Sequence, residues 1–284
     1  MSGRVLLIDK AVKTGSTDVV RTIRHRFGTS RVGHAGTLDP DATGLLIVCV
    51  DAATKLVPWL TREDKAYSVV GRLGSATDSD DAAGATIATA PHDGVTREML
   101  EAAIEARLGE REQLPPRISA IKVGGQRMHK MVRAGQDVDA LRVPRLVKLD
   151  SVVLTRFEPP EFEITMDVGK GFYVRSLIRD LGEDVGSLAH VATLRRTRVG
   201  PFLATEAVGL DDIDEASGLD GDEALARVLP VVEVDSEVAR RLMAGQKVRQ
   251  EALPEGVFAV REGGILRAVV DAPDGVMHVV RGLG

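Results

Sequence analysis

Residues 33–50 read GHAGTLDPDATGLLIVCV. One acid, Asp39, sits inside Gly-Thr-Leu-Asp-Pro, with glycines at 36 and 44 and an apolar run behind it. Pro40 disfavours helix at the residue before it, so Asp39 is expected in extended or polyproline backbone. Gly36 lets the chain turn sharply or come close to a ligand. Residues 44–50 are apolar throughout, the pattern of a strand buried on both faces. Asp39 is therefore a carboxylate on a short constrained loop seated against a core strand. Two readings stay open at this point. A turn aspartate bonds its own backbone. A carboxylate so held also suits a nucleophile or general base.

Around this stretch lie 284 residues, room for one large domain plus a small appendage. Hydrophobic residues make up 44% and charged residues 28%, which supports a sizeable soluble core. The single cysteine, Cys49, cannot form an internal disulfide, so a reducing cytoplasm is expected, with Cys49 as a small buried hydrophobe. The apolar run at 5–8 is too short for a signal peptide or a membrane span.

The patterning predicts a strand at 4–9 and a helix at 17–27 capped by Thr17 or Asp18. A loop over 28–43, a strand at 65–73 and an exposed loop over 75–94 follow. An amphipathic helix is predicted at 97–108, with apolar residues at a period of 3.6. Strands at 117–123 and within 145–170 flank a helix at 126–134. A helix at 173–185 buries Val174, Leu177, Ile178, Leu181 and Val185. From residue 230 short β-like runs dominate, with one helix at 236–244. This order gives an α+β class, with a main domain at 1–229, an insertion at about 85–145, and a small β-rich module at 230–284.

Net charge is −5, yet residues 1–204 carry 29 Lys+Arg against 26 Asp+Glu, and the remainder carries 8 against 16. Local patches rather than net charge govern contact with phosphate. Arg21, Arg24, Arg26 and Arg31 form one cluster, and Arg195, Arg196 and Arg198 another. Aromatic residues are scarce, at 3%, which draws attention to the two tyrosines, Tyr67 and Tyr173. Tyr173 lies in KGFYVRSL beside Arg175, at the start of a predicted helix. A nearby arginine keeps an acid ionised, and unstacked bases stack on aromatic rings.

The stretch at 33–50 strongly resembles the catalytic motif of the TruB family of pseudouridine synthases. Four further blocks are similar and stand in family order: VLLIDK at 5–10, DKAYSVVGRLGSATDSDDAAG at 64–84, ISAIKVGGQRMHKMVRAG at 118–135, and GFYVRSLIRDLGEDVGSLAHVATLRRTRVGPF at 171–202. The resemblance implies a mixed, largely antiparallel sheet in the catalytic domain and a PUA-like terminal module that binds RNA. It implies isomerisation of the uridine at tRNA position 55, in the T-loop, to pseudouridine. The N1–C1′ bond breaks, the uracil rotates, and it rejoins through C5, with no cofactor or metal.

By the same resemblance Asp39 is the catalytic carboxylate, Arg175 pairs with it, and Tyr67 stacks on the extruded base. Tyr173 neighbours them in the pocket, His34 helps displace the uridine, Leu194 lines the pocket, and Lys10 lies beside the centre. Arg21, Arg24, Arg31, Arg195 and Arg196 are candidates for the RNA backbone. The expected partner is the tRNA T-stem-loop, bound by a cytoplasmic monomer with no obligatory protein partner.

The chain departs from the family pattern in places. Where the family opens Lys-Pro-x-Gly-x-Thr-Ser, this sequence has Ala11, Lys13 and Gly15 in place of Pro, Gly and Thr. His129 and Phe172 stand where Tyr and Thr are usual. These departures motivate a second reading, a tRNA-binding factor without catalysis, against which the retained Asp39 argues. A glycoside hydrolase would need two carboxylates flanking the bond, and Asp41 is not aligned with Asp39 by any helix. A relationship to the guide-dependent synthases of eukaryotes and archaea is the nearest rival within the class.

Overall fold

Val5, Leu6, Leu7 and Ile8 form the buried centre of strand β1 (Gly3–Lys10) in a computed structural model. The structure describes residues 3–119, 121–214, 216–251 and 253–283; the side chain of His129 lies outside what is described. Helix α1 (Ser16–Arg26), strand β2 (Val32–His34) and strand β3 (Thr43–Asp51) follow. β3 runs antiparallel to β1 from Gly3 opposite Asp51 to Lys10 opposite Gly44. Its Val48–Val50 end also pairs with β2. Every residue from 44 to 50 is buried, as an unbroken apolar strand requires.

Two expectations in this region are corrected. The loop at 28–43 contains β2, because Val32, Gly33 and His34 find register partners on β3. The cap of α1 is Gly15, not Thr17 or Asp18. Gly15 accepts from the amides of Asp18 and Val19 at 2.9 and 3.1 Å, and the Asp18 carboxylate accepts from the Gly15 amide at 3.1 Å. Asp18 thus caps from within the first turn.

The chain divides into two compact units. One comprises Met1–Pro40, Gly44–Glu63 and Gly200–Gly284; the other comprises Asp41–Thr43 and Asp64–Val199. In the first unit β1 also pairs in parallel with Val208–Gly209 and antiparallel with Leu219–Asp220, so the strand set is mixed. A five-stranded sheet near the C-terminus runs in the order Val231–Glu233, Val257–Glu262, Ile265–Asp271, Val276–Gly282, Val248–Arg249. Its own core gathers Leu242, Phe258, Val260, Val270 and Met277.

The second unit holds β4 (Lys65–Leu73), α2 (Arg97–Glu105), β5 (Gly109–Gln113), β6 (Arg145–Glu158), β7 (Glu161–Val168), α3 (Val174–Asp184) and β8 (Ala189–Val199). Its strands run β8–β4–β7–β6–β5, all antiparallel. Helix α3 buries Val174, Leu177, Ile178 and Leu181 and packs on β8. Strand β8 has no apolar alternation in its LRRTR centre, which is why no strand was expected there.

The segment 75–94 is largely exposed, as expected, but forms a hairpin rather than a loop, pairing Ser75–Thr77 with Thr86–Thr89. Thr77 and Ser79 are buried because their hydroxyls bond to Asp81. The expected strand at 117–123 shrinks to Lys122–Val123, paired with Gln126–Arg127, and the helix after it covers Met128–Arg133. The helix predicted to reach 108 ends at Glu105, and a helix at Gly221–Val228 went unread. Among the described residues no helix is long and apolar enough to cross a membrane.

Candidate active site

Asp39 is half-buried on the loop between β2 and β3, and both of its chain neighbours are fixed by buried side chains. The Ser16 hydroxyl donates to the Leu38 carbonyl at 2.9 Å and accepts from the Leu38 amide at 2.9 Å. On the other side the Lys10 ammonium donates to the Pro40 carbonyl at 3.0 Å. The same ammonium donates to the carbonyls of Ala11 and Thr14 at 2.9 and 2.8 Å. An ammonium has three N–H groups, and these three carbonyls use them. Lys10, 1% exposed, ties the 11–14 loop to the Asp39 loop.

Lys13, where the family has glycine, keeps left-handed backbone with φ of 61°. The loop thus retains a glycine-type bend while carrying an exposed lysine. Gly36 has φ of 94°, so the turn before Asp39 uses the freedom that its sequence offered. His34 lies on β2 opposite Val48.

In the second unit Tyr67 stands on β4 with Met166 opposite it on β7 and Arg196 opposite it on β8. Leu194 pairs with Val69, two residues along, and therefore shares the Tyr67 face. Tyr67, Leu194 and Arg196 are thus brought together. Arg196 is 1% exposed, which removes it from the RNA-backbone candidates: its side chain is a buried neighbour of Tyr67. Arg195 pairs with Ser68 and so faces the opposite, more polar side of the strands. The Leu194 carbonyl accepts from the Thr43 hydroxyl at 3.5 Å.

Tyr173 and Arg175 occupy the start of α3, and this corner is closely tied down. Arg175, 5% exposed, donates to the carbonyls of Ser79 at 2.7 Å and Ile118 at 2.9 Å. The Asp81 carboxylate lies 3.5 Å from it. The Gln113 side chain accepts from the Tyr173 amide at 2.8 Å and donates to the Tyr173 carbonyl at 3.0 Å. Ser176 donates to the Leu114 carbonyl at 2.8 Å. One turn further along, Arg179 pairs with Asp80 at 3.0 Å. Burial pushes the Asp80 carboxyl up, and the Arg179, Arg175 and Arg142 guanidiniums pull against that shift.

Neither Gln113 nor Ser16 was picked out from sequence. Ser16 carried a weak signal, a serine at a helix start. Gln113 carried none, because its partner is sixty residues away.

Of the basic candidates, Arg21, Arg24 and Arg31 are exposed. Arg21 pairs with Asp18 at 2.7 Å and Arg31 with Asp51 at 3.5 Å. Arg26, from the same cluster, is structural, donating to the carbonyls of Leu210 and Ile213 at 2.6 and 2.7 Å. A further basic stretch was not singled out: residues 117–145 hold seven Lys+Arg against two Asp. Of these, Lys122, Arg127, Lys130, Arg133 and Arg145 are exposed. Among the described residues no cluster of His, Cys, Asp and Glu could hold a metal ion.

A family model described as "TruB family pseudouridylate synthase (N terminal domain)" matches residues 24–174. A second, "tRNA pseudouridylate synthase B C-terminal domain", matches residues 175–234. A protein named tRNA pseudouridine synthase B from Mycobacterium sp. (strain KMS) is 38% identical, over 99% of this chain and 96% of its own. One of the same name from Corynebacterium aurimucosum is 40% identical, over 90% of this chain and 87% of its own. Among solved structures, a chain from a Cbf5-Nop10-Gar1 complex superposes with a TM-score of 0.75 at 23% identity, over 99% of this chain and 85% of that one. At that identity the likeness speaks for the fold. With a family model over more than half of the chain and relatives this similar along nearly all of it, the chain belongs to the TruB family of pseudouridylate synthases.

Proposed function

We propose that this chain is a tRNA pseudouridine synthase, an isomerase that converts the T-loop uridine at tRNA position 55 to pseudouridine. The observation that carries the proposal is the two-sided restraint of Asp39. Ser16 fixes both backbone groups of Leu38, and Lys10 fixes the Pro40 carbonyl. A carboxylate that only closed a turn would not need two buried side chains to hold its neighbours, whereas a reacting group gains from fixed aim.

In this reading Asp39 is the catalytic carboxylate. The target atom of a folded RNA is out of reach until its base leaves the stack. Tyr67 stacks on the extruded uracil, with Leu194 beside it on the same strand face, and His34 helps displace the nucleotide. Arg175 supplies the positive charge that favours an ionised acid. Tyr173 shares its corner of α3. Arg21, Arg24, Arg31 and Arg195 contact RNA phosphates, together with the exposed cations of residues 117–145.

Residues 230–284 serve as a small RNA-binding module behind a catalytic domain at 1–229. Its seven Lys+Arg nearly balance eight Asp+Glu, so the acidic excess lies in 205–229, not in the module. The chain works in the cytoplasm as a monomer without an obligatory protein partner.

The test is incubation of purified protein with an unmodified tRNA transcript, followed by carbodiimide mapping of pseudouridine, with Asp39→Asn in parallel. The expected result is one modified T-loop uridine with wild type and none with Asp39→Asn, while tRNA binding persists in both. Binding without modification by wild type would favour the non-catalytic factor.

A further inference from the structure

We infer that Gln113 is a positioning residue for catalysis, holding Tyr173, and through it the start of α3, in the reactive arrangement. This rests on the proposed function of the Tyr173–Arg175 corner. Gln113 is 4% exposed at the end of β5. Its carboxamide meets the Tyr173 backbone in both directions, accepting from the amide at 2.8 Å and donating to the carbonyl at 3.0 Å. The two partners fix which end of the carboxamide is oxygen and which is nitrogen.

Tyr173 is the residue immediately before α3, and its own side chain makes no cap hydrogen bond. The Gln113 clamp holds both backbone groups of that N-cap residue and so fixes where the helix starts. Arg175, two residues on, takes its bearing from the same segment through the Ile118 carbonyl. Residues 113–118 thus brace both Tyr173 and Arg175. A misplacement of about 1 Å at a reacting group costs on the order of 100-fold in rate.

The chemistry of a carboxamide suggests the test. A protonated carboxyl has one donor and one acceptor in nearly the same places, whereas an ionised carboxylate only accepts. Gln113→Glu therefore restores the clamp when protonated and sets a charge against the Tyr173 carbonyl when ionised. Burial raises the pKa of such a carboxyl and nearby guanidiniums lower it, so the variant's activity is followed across the whole accessible pH range. Arg145 is the register partner of position 113 on β6, and Arg179 of α3 donates to the carbonyl of the next residue, Leu114. Both cations are common to wild type and variant.

The experiment measures kcat and KM for tRNA modification across pH for wild type, Gln113→Glu and Gln113→Leu, with amide exchange at Tyr173 and thermal melts alongside. For Gln113→Leu, kcat falls about 10- to 100-fold while KM stays near wild type, and the Tyr173 amide exchanges faster. For Gln113→Glu, the rate relative to wild type rises as pH falls, about tenfold per unit above the carboxyl's pKa. A Gln113→Glu variant equal to wild type at every pH overturns the inference. So does a loss in both variants that ignores pH and follows tRNA binding or melting alone. An inactive wild type removes the functional reading and this role with it; an active wild type with an unaffected Gln113→Glu variant removes only this role.

Discussion

At position 13 the chain holds a lysine in left-handed backbone, with φ of 61°. Such backbone costs a non-glycine residue roughly 1–2 kcal/mol, and glycine gives back roughly 0.5–1 kcal/mol through its freer unfolded state. Lys13→Gly is thus expected to stabilise the chain by about 0.5–1 kcal/mol, read as a higher urea midpoint with an unchanged slope. A lower midpoint would show that the lysine side chain itself makes a stabilising contact. The sequence exposed the departure at 13 but not its consequence. A glycine-type bend is kept because Lys10 pins the loop on both sides, at Ala11 and Thr14. Residue identities point to Asp39, Tyr67 and Arg175 as candidates for chemistry. They do not show that Lys10 ties two loops together through three carbonyls.

Helix α3 shows how an element is read and misread. Its period of 3.6 named Val174, Leu177, Ile178 and Leu181, and all four are buried. Gly182, on the same helix, has a role that periodicity does not show. A Cβ there would lie 2.4 Å from the Ala189 amide nitrogen and 2.7 Å from the Leu188 carbonyl carbon. Gly→Ala inside a helix ordinarily stabilises by up to about 1 kcal/mol. Here backbone atoms stand in the way, and Gly182→Ala is expected to destabilise by about 2–3 kcal/mol, seen as a fall in melting temperature. An unchanged or higher melting temperature would mean that the chain between α3 and β8 yields. Strand β8 was missed for a related reason. Its inward position at 196 holds an arginine, and it is strand pairing, with β4 among others, that makes the segment a strand.

At the scale of the molecule, charge and the single thiol give two broad readings. Acidic residues concentrate in 205–229, which carries eight Asp+Glu against one Arg, while basic residues dominate 117–145. A net charge of −5 therefore hides a strongly basic surface segment. Cys49 sits on β3 with Val5 opposite it on β1 and Gly33 opposite it on β2. Burial pushes its thiol up to about 12. The thiolate is the reactive form, so at about pH 8 the native protein is expected to resist alkylation. Labelling should require denaturant, and its rate should track opening of the β1–β3–β2 strand set. Fast labelling of native protein, followed by mass spectrometry, would show that this strand set opens far more easily than its packing suggests.

The sequence by itself determined what short-range physics can enforce. Pro40 and Gly36 constrain the Asp39 loop, an unbroken apolar run makes β3, and a 3.6 period makes α3. These depend on neighbours a few residues apart. The tertiary structure alone decided which polar groups meet. Ser16 reaches Leu38, Lys10 reaches Pro40, Gln113 reaches Tyr173, and Arg196 is buried opposite Tyr67. Within 75–94 the Thr77 and Ser79 hydroxyls are likewise drawn out of solvent by bonds to Asp81, which local polarity does not announce. A hydrogen bond across tens of residues leaves no periodic trace in the chain. It exists only once burial has removed the water that would otherwise have served as partner.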